Sequence, residues 1–212
     1  MDPDIVIVEL SGATLPDMTK LCAAAASEGH DFVQRTLDDW NDGANRFDRP
    51  RERFLLARHR PTTIAMCGLN VDPYLDDLGV ARLRHLYVAP DHRRDGIGQA
   101  LVDRLVADAG RSFARIRLRT TRPAADAFYV ATGWTRVDEP FATHAIELGP
   151  PVPSLGVSAA DAPTHANESA LDDVTSAIGP RPPGAAATRR PQRRRSPLRA
   201  RATDRPGTDG RC

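Results

Sequence analysis

The chain has 212 residues, of which 41% are hydrophobic and 27% charged, and its formal net charge is +1. This balance argues against a nucleic-acid partner for the whole chain, and no apolar run approaches the roughly 20 residues that a membrane-spanning helix needs. The three cysteines, at positions 22, 67 and 212, are too few and too far apart for a disulfide framework or a zinc site. Residues 1–4 are acidic and unlike a signal peptide, so we expect a cytoplasmic protein that holds no metal.

Hydrophobic periodicity predicts strands and helices that alternate along the first 148 residues. Apolar residues alternate or run together where strands are predicted, and they recur at helical spacing where helices are predicted. In chain order these are a strand at 4–10, helices at about 15–27 and 32–40, strands at 54–58, 63–71 and 81–88, a helix at 98–109, a strand at 116–119, a helix at 123–131, and strands at 134–137 and 144–148.

A basic turn with two glycines lies between the strand at 81–88 and the helix at 98–109. The turn reads Arg93-x-x-Gly96-x-Gly98, with a second arginine at Arg94. The first N–H groups of a helix have no partner within the helix, and the helix dipole there favours negative charge. Glycines allow positive φ and remove Cβ atoms that would block a diphosphate. The pattern therefore predicts an anion-binding site.

Two other phosphate-binding motifs do not fit this turn. No Gly-Lys-Ser/Thr follows it, which excludes a P-loop. The third glycine of a dinucleotide fingerprint would fall at Leu101, and the strand before the turn comes late in the chain.

The turn and a second segment resemble the GNAT acetyltransferase superfamily. Arg93-x-x-Gly96-x-Gly98 is similar to its acyl-CoA-binding motif, and Phe128-Tyr129-x-x-x-Gly133-Trp134 is similar to a second family motif. The resemblance covers residues 4–148. It implies an α/β fold of the GNAT type, with a mixed, mostly antiparallel central sheet flanked by helices in the order β-α-α-β-β-β-α-β-α-β-β.

The resemblance also implies an acyltransferase that moves an acetyl group from acetyl-CoA, as co-substrate, to a primary amine by direct attack. Its acceptor would be a small-molecule or protein amine, and a homodimer stays open. Tyr129 would be the general acid that protonates the leaving thiolate, and the Val88 N–H would polarise the thioester carbonyl. The implied cofactor-binding residues are Leu86, Tyr87, Val88, Arg93, Arg94, Asp95, Gly96, Ile97, Gly98 and Gln99.

The chain departs from the family pattern at two places. Arg122 stands where members often have a cofactor-contacting asparagine, and Arg82 and Arg84 stand where some carry a glutamate as general base. Other base candidates are His85 on the same strand and the aspartates of the preceding loop, at 72, 76 and 77. The resemblance implies an acceptor pocket between the first two helices and the last hairpin, for which 40–47 and 70–74 are candidate linings.

The composition changes after residue 148. Residues 1–148 hold 19 basic and 22 acidic side chains, a net charge of −3, whereas 149–212 hold 10 arginines and 6 acids, a net charge of +4. With many prolines and no aromatic residue, 149–212 are predicted to be a disordered tail, and 1–148 the acetyltransferase domain. Two alternatives stay open: a catalytically weak or inactive acyl-CoA-binding module, and a nucleic-acid-associated protein acting through its arginine-rich tail.

Overall fold

A computed structural model of the chain describes residues 2–12 and 14–150, and the predicted order of elements is confirmed within them. The strands are β1 (Ile5–Glu9), β2 (Arg53–His59), β3 (Thr62–Val71), β4 (Val80–Val88), β5 (Arg115–Leu118), β6 (Thr135–Glu139) and β7 (Ala142–Glu147), and the helices are α1 (Thr19–Ser27), α2 (Phe32–Asp42), α3 (Ile97–Ala109) and α4 (Pro123–Ala131). The predicted disordered tail lies outside the described residues, apart from 149 and 150.

The strands form one mixed sheet, and its mostly antiparallel pairing agrees with the expected fold class. The strand order is β1-β2-β3-β4-β5-β7-β6, and every neighbouring pair is antiparallel except β4 with β5. The parallel pair is linked through α3, as parallel strands require a crossover.

Helices cover the two faces of the sheet around separate apolar clusters. α3 places Ile97, Leu101, Leu105 and Ala109 at four-residue spacing on one side, and these residues pack with buried side chains of β2 to β5. α1 and α2 bury their apolar stripes on the opposite face, around Trp40 and residues of β2 to β4. Full burial of a side chain such as leucine stabilises by roughly 1.5–3 kcal/mol, so these two stripes fix how the helices sit on the sheet.

β4 contains a bulge that places one extra residue on the side of α1 and α2. The register shifts between Met66 and Gly68, where one residue of β3 faces both His85 and Leu86. His85 takes a φ of +57°, which few residues other than glycine adopt. The bulge therefore aims two successive polar side chains, Arg84 and His85, at the same face.

The parallel pairing between β4 and β5 ends after three residue pairs. The last pair is Arg82 with Arg117, whereas β4 continues to Val88. Residues 83–88 consequently pair with β3 on one side only, and no described strand pairs with their other backbone edge. We call the space beside this open edge the gap; the edge leads into the turn that precedes α3. No helix of the described residues is long and apolar enough to cross a membrane.

Candidate active site

The turn between β4 and α3 directs a run of backbone N–H groups to one place. A 3₁₀ turn spans Pro90–His92, Arg94 and Gly96 then take φ values of +73° and +79°, and α3 begins at Ile97. Among the described residues, no backbone carbonyl accepts a hydrogen bond from the N–H groups of 94–99. Left-handed residues curl N–H groups into a concave nest, and the helix adds the positive end of its dipole. The turn suits an anion with several oxygens, such as a diphosphate.

The space around Gly98 is left open by the protein itself. A Cβ built there would meet only the Cγ2 of Val88, at 3.5 Å, which is ordinary van der Waals contact. Gly96 also has no atom within 4 Å of an added Cβ, although its positive φ favours glycine. The neighbouring atoms therefore do not require a glycine at position 98. The missing side chain leaves the backbone N–H groups open to a ligand.

Arg93 has its guanidinium bound within the protein. Its Nε donates to the carbonyl of Val88 at 2.9 Å, and its Nη1 and Nη2 donate to the two carboxylate oxygens of Glu28 at 2.7 and 2.5 Å. Its backbone N–H donates to the carbonyl of Pro90. Arg93 thus ties the start of the turn to the end of β4, whereas the open N–H groups belong to 94–99. Its predicted contact with cofactor stays a prediction.

Glu28 is a residue of this region that the sequence patterns did not indicate. It directly follows α1, whose last residue is Ser27, and precedes Gly29, which takes a φ of +76°. Besides Arg93, its carboxylate accepts a hydrogen bond from the Tyr87 hydroxyl at 2.9 Å. Burial would raise the pKa of Glu28, but the hydrogen bonds from Arg93 and Tyr87 outweigh it and lower that pKa. Nothing local marks this role, because the partners lie about 60 residues away along the chain.

The three residues at the end of β4 that are predicted to bind the cofactor lie in two different apolar clusters. Leu86 and Val88 belong to the apolar cluster under α3, and Tyr87 belongs to the cluster under α1 and α2. The N–H of Ala89 donates to the carbonyl of Ile64 on β3. Because N–H groups alternate in direction along a strand, the N–H of Val88 points the other way, into the gap beside β5. Burial, and then the Glu28 carboxylate, raise the pKa of Tyr87.

Tyr129 lies on the buried side of α4. Its side chain is fully buried, and its ring packs against Phe128, Trp134 and His144 with centroids 5.1 to 5.7 Å apart. It shares an apolar cluster with Leu86, Val88 and Ile97, the residues that flank the turn. The structure thus places Tyr129 in the core behind the gap; its role as general acid stays a prediction.

Arg122 contacts His30 at the start of α4. The Nη2 atom of Arg122 lies 3.0 Å from the Nδ1 atom of His30, which is 6% exposed. Arginine can only donate, so Nδ1 accepts and the ring of His30 is neutral with its proton on Nε2. Burial first, and then the charge of Arg122, lower the pKa of His30. His30 is a second residue that sequence reasoning did not single out.

The candidate bases lie in different settings. His85 is buried between the rings of Phe32 and Phe47, at centroid distances of 6.1 and 6.0 Å. The carboxylate of Asp72 is fully buried between Arg82 and Arg117, at 3.8 and 3.6 Å. The other two loop aspartates, at 76 and 77, are exposed.

The two segments expected to line the acceptor pocket are partly core. Trp40 and Phe47 are 1% and 4% exposed and belong to the cluster under α1 and α2. Asn45 and Asn70 join the segments through two reciprocal amide hydrogen bonds of 3.2 Å. Tyr74 stacks on Phe141 of the last hairpin, with ring centroids 4.4 Å apart. The last hairpin therefore contacts the loop between β3 and β4, while the pocket itself stays a prediction.

Comparisons with known proteins identify the family of the chain. Residues 16–134 match the Acetyltransferase (GNAT) family. A mycothiol acetyltransferase of Clavibacter sepedonicus is 35% identical over 107 residues, which are 47% of this chain and 34% of that protein. The chain thus spans about a third of the length of this curated relative.

Solved structures share the fold. A candidate acetyltransferase of Exiguobacterium sp. 255-15 has a TM-score of 0.62 and 26% identity, over 69% of this chain and 94% of the other. An aminoglycoside 6'-N-acetyltransferase solved with coenzyme A has a TM-score of 0.51 and 17% identity, over 68% and 98%. The second likeness shows the fold alone. With the family match over more than half its length, the chain belongs to the GNAT acetyltransferase family.

Proposed function

We propose that this chain is an N-acetyltransferase that moves an acetyl group from acetyl-CoA to a primary amine by direct attack. The observation that supports this most is the run of open N–H groups at 94–99, beside a strand edge that has lost its neighbour. A diphosphate would be held by the turn, and the arm that follows it would lie along 86–88 in the gap. Acetyl-CoA, when bound, supplies the activated acyl carbon.

The chain's own groups would then act on the reacting atoms. The N–H of Val88, which points into the gap, would donate to the thioester oxygen as that oxygen gains charge; such a donor is typically worth 10²–10³-fold in rate. The acceptor nitrogen bonds to the acyl carbon and the carbon–sulfur bond breaks. The thiolate would take a proton from Tyr129, and the extra proton on nitrogen would leave to water or to a side chain.

The alternative function is a catalytically weak or inactive acyl-CoA-binding module. A protein of this kind would bind acetyl-CoA without turning it over. Release of free thiol from acetyl-CoA, followed with a panel of small amines, amino acids, an aminoglycoside and a lysine-bearing peptide, separates the two functions. Thiol release that depends on an amine supports the enzyme, and binding without release supports the module.

The diphosphate site is tested by a matched pair of substitutions at Gly98. Acetyl-CoA at about 100 times its dissociation constant should stabilise the parent by ~2.7 kcal/mol and raise its melting temperature. Gly98→Val should abolish this rise, because its branched side chain would occupy the space in front of the N–H groups. Gly98→Ala should retain more of the rise than Gly98→Val, because a single methyl group fills less of that space, and its ordinary contact with Val88 leaves the fold intact. A full rise in Gly98→Val would contradict the site.

A further inference from the structure

The loop between α1 and α2 contacts both sides of the gap where β4 and β5 diverge. Glu28 binds the β4 side, through Tyr87 and Arg93, and His30 binds Arg122, which stands where the chain leaves β5 for α4. On the basis of the proposed function, we propose that this loop clamps the cofactor site and that Glu28 and His30 are positioning residues for it. Neither residue belongs to the turn or to the strand end that would touch the cofactor.

The Glu28 contact fixes the start of the diphosphate turn. Both carboxylate oxygens are engaged by Arg93, which also holds the carbonyl of Val88. The Arg93 and Glu28 side chains are 13% and 27% exposed, so water screens this pair less than a surface pair. Arg93 stands immediately before the open N–H groups of 94–99. A turn that is held in its binding shape loses less freedom when an anion binds, which raises affinity without a new contact.

The His30 contact fixes the opposite side. The charged groups that act on His30 are Glu28, Asp31, Arg93 and Arg122, and the guanidinium of Arg122 contacts its Nδ1 atom at 3.0 Å. A protonated ring could not accept the hydrogen bond from Arg122 and would add a third cation to this group. The contact therefore exists only while the ring is neutral.

A clamp that serves the cofactor site has a consequence for ligand affinity that an ion pair with a purely structural role does not have. If the clamp serves the cofactor site, loosening it should weaken coenzyme A binding more than it weakens the fold. The chain offers a control in Arg115 and Glu139, a bidentate pair at 2.7 and 3.3 Å with side chains 24% and 32% exposed. Glu139 also lies 3.4 Å from the Nε atom of the buried Arg117, so its loss should cost the fold at least as much as the loss of Glu28. That pair joins β5 to β6, at the closed end of the gap.

The experiment compares Glu28→Gln with Glu139→Gln by calorimetric titration with coenzyme A and by thermal melting. Both variants should melt at lower temperature than the parent. Glu28→Gln should raise the dissociation constant about tenfold, which corresponds to ~1.4 kcal/mol, and Glu139→Gln should change it less than twofold. Equal affinity in Glu28→Gln and the parent would overturn the proposal.

A shorter ligand tests whether Glu28 acts through the diphosphate turn. S-acetylpantetheine lacks the diphosphate, so Glu28→Gln should lower kcat/KM for acetyl-CoA while leaving that for S-acetylpantetheine within twofold. In Arg93→Gln, adding Glu28→Gln should cause little further loss of coenzyme A affinity, because the two residues act together. Equal losses with both thioesters, or fully additive losses in the double variant, would overturn a role through Arg93.

His30→Phe tests the other contact, because it keeps a ring of similar size and removes the acceptor. It should weaken coenzyme A binding severalfold, and His30→Gln, which keeps a carbonyl acceptor, should restore part of the affinity. If His30→Phe binds like the parent, His30 has no part in the clamp. Absence of coenzyme A binding in the parent itself would instead refute the proposed function, and this titration is therefore made first.

Discussion

The ring of Phe47 covers Gly68 so closely that a Cβ on Gly68 would lie 2.3 Å from the Cε1 atom of Phe47. Phe47 has little room to withdraw, because it is buried, takes a φ of +51° and stacks on Phe54 with ring centroids 4.8 Å apart. It also touches the ring of His85 at the bulge of β4. The missing side chain of Gly68 therefore allows the loop after α2 to dock on the sheet.

Gly68→Ala should destabilise the protein, because the added methyl group overpacks a core whose neighbours cannot shift freely. The expected loss in the free energy of unfolding is ~1–3 kcal/mol, measured by urea unfolding. Gly110→Ala is the control, since a Cβ at that position meets only ordinary contacts at 3.7 and 3.8 Å. Equal stability of Gly68→Ala and the parent would show that Phe47 moves aside easily.

Asp72→Asn should be among the most damaging single changes in the chain. It removes the negative charge between Arg82 and Arg117, which are each 1% exposed and also donate to the carbonyls of Phe141 and Pro140. Arg117 keeps the carboxylate of Glu139 at 3.4 Å, so the main loss falls on Arg82. Neutralising one partner of a buried ion pair typically costs ~3–5 kcal/mol. The free energy of unfolding in urea measures this, with exposed Asp76→Asn as the neutral control. A loss under ~1 kcal/mol would mean that the two carbonyls and Glu139 suffice.

Tyr129→Phe should separate chemistry from packing. The substitution keeps the ring against Trp134 and His144 and removes only the hydroxyl. Since general acid catalysis is worth about 10²–10⁴-fold, kcat should fall by a factor in that range, while the Michaelis constant for acetyl-CoA changes little. The melting temperature checks the fold. A kcat within about twofold of the parent, with chemistry rate-limiting, would assign the proton to water or to another group.

Acid should destabilise the fold through two buried histidines. Burial, and then the charge of Arg122, lower the pKa of His30 below its ordinary 6.5, and burial lowers that of His144 although Asp126 opposes it. As the pH falls, the unfolded chain therefore binds a proton at each of these histidines before the folded chain does. Above pH 6.5 the two histidines make their full contribution to the free energy of unfolding. This contribution falls as the pH drops below 6.5, and it is lost once the pH is below both folded-state pKa values.

Melting temperatures between pH 7 and pH 5 measure this effect. His30→Gln and His144→Gln should each flatten the acid side of the profile relative to the parent. His92→Gln, at a half-exposed ring that lies against His59, is the control. A parent profile that stays flat down to pH 5, or one unchanged in both variants, would contradict the assignment.

The order of elements, and the glycine turn that leaves N–H groups open before α3, were predictable from the amino-acid sequence. Both are local: apolar spacing sets a helix or strand within about ten residues, and Gly96 and Gly98 lie next to the helix start whose N–H groups they expose. The motif around Tyr129 is local too, and its position on α4 was predicted within the correct bounds of that helix. The catalytic role of Tyr129 and the cofactor contacts stay predictions, because they concern molecules outside the chain.

Which charged side chains pair with one another depends on the tertiary fold. Glu28 and Arg93 are 65 residues apart, and the Asp72 carboxylate reaches Arg117 on another strand. No local pattern distinguishes these residues from surface charges, because their partners are set by strand order and by the packing of helices and loops on the sheet. The same holds for His85, whose burial follows from a bulge in the register of β4. Ion pairing between distant parts of the chain depends on the distance between side chains in space. Hydrophobic periodicity reports only local structure and does not indicate that distance.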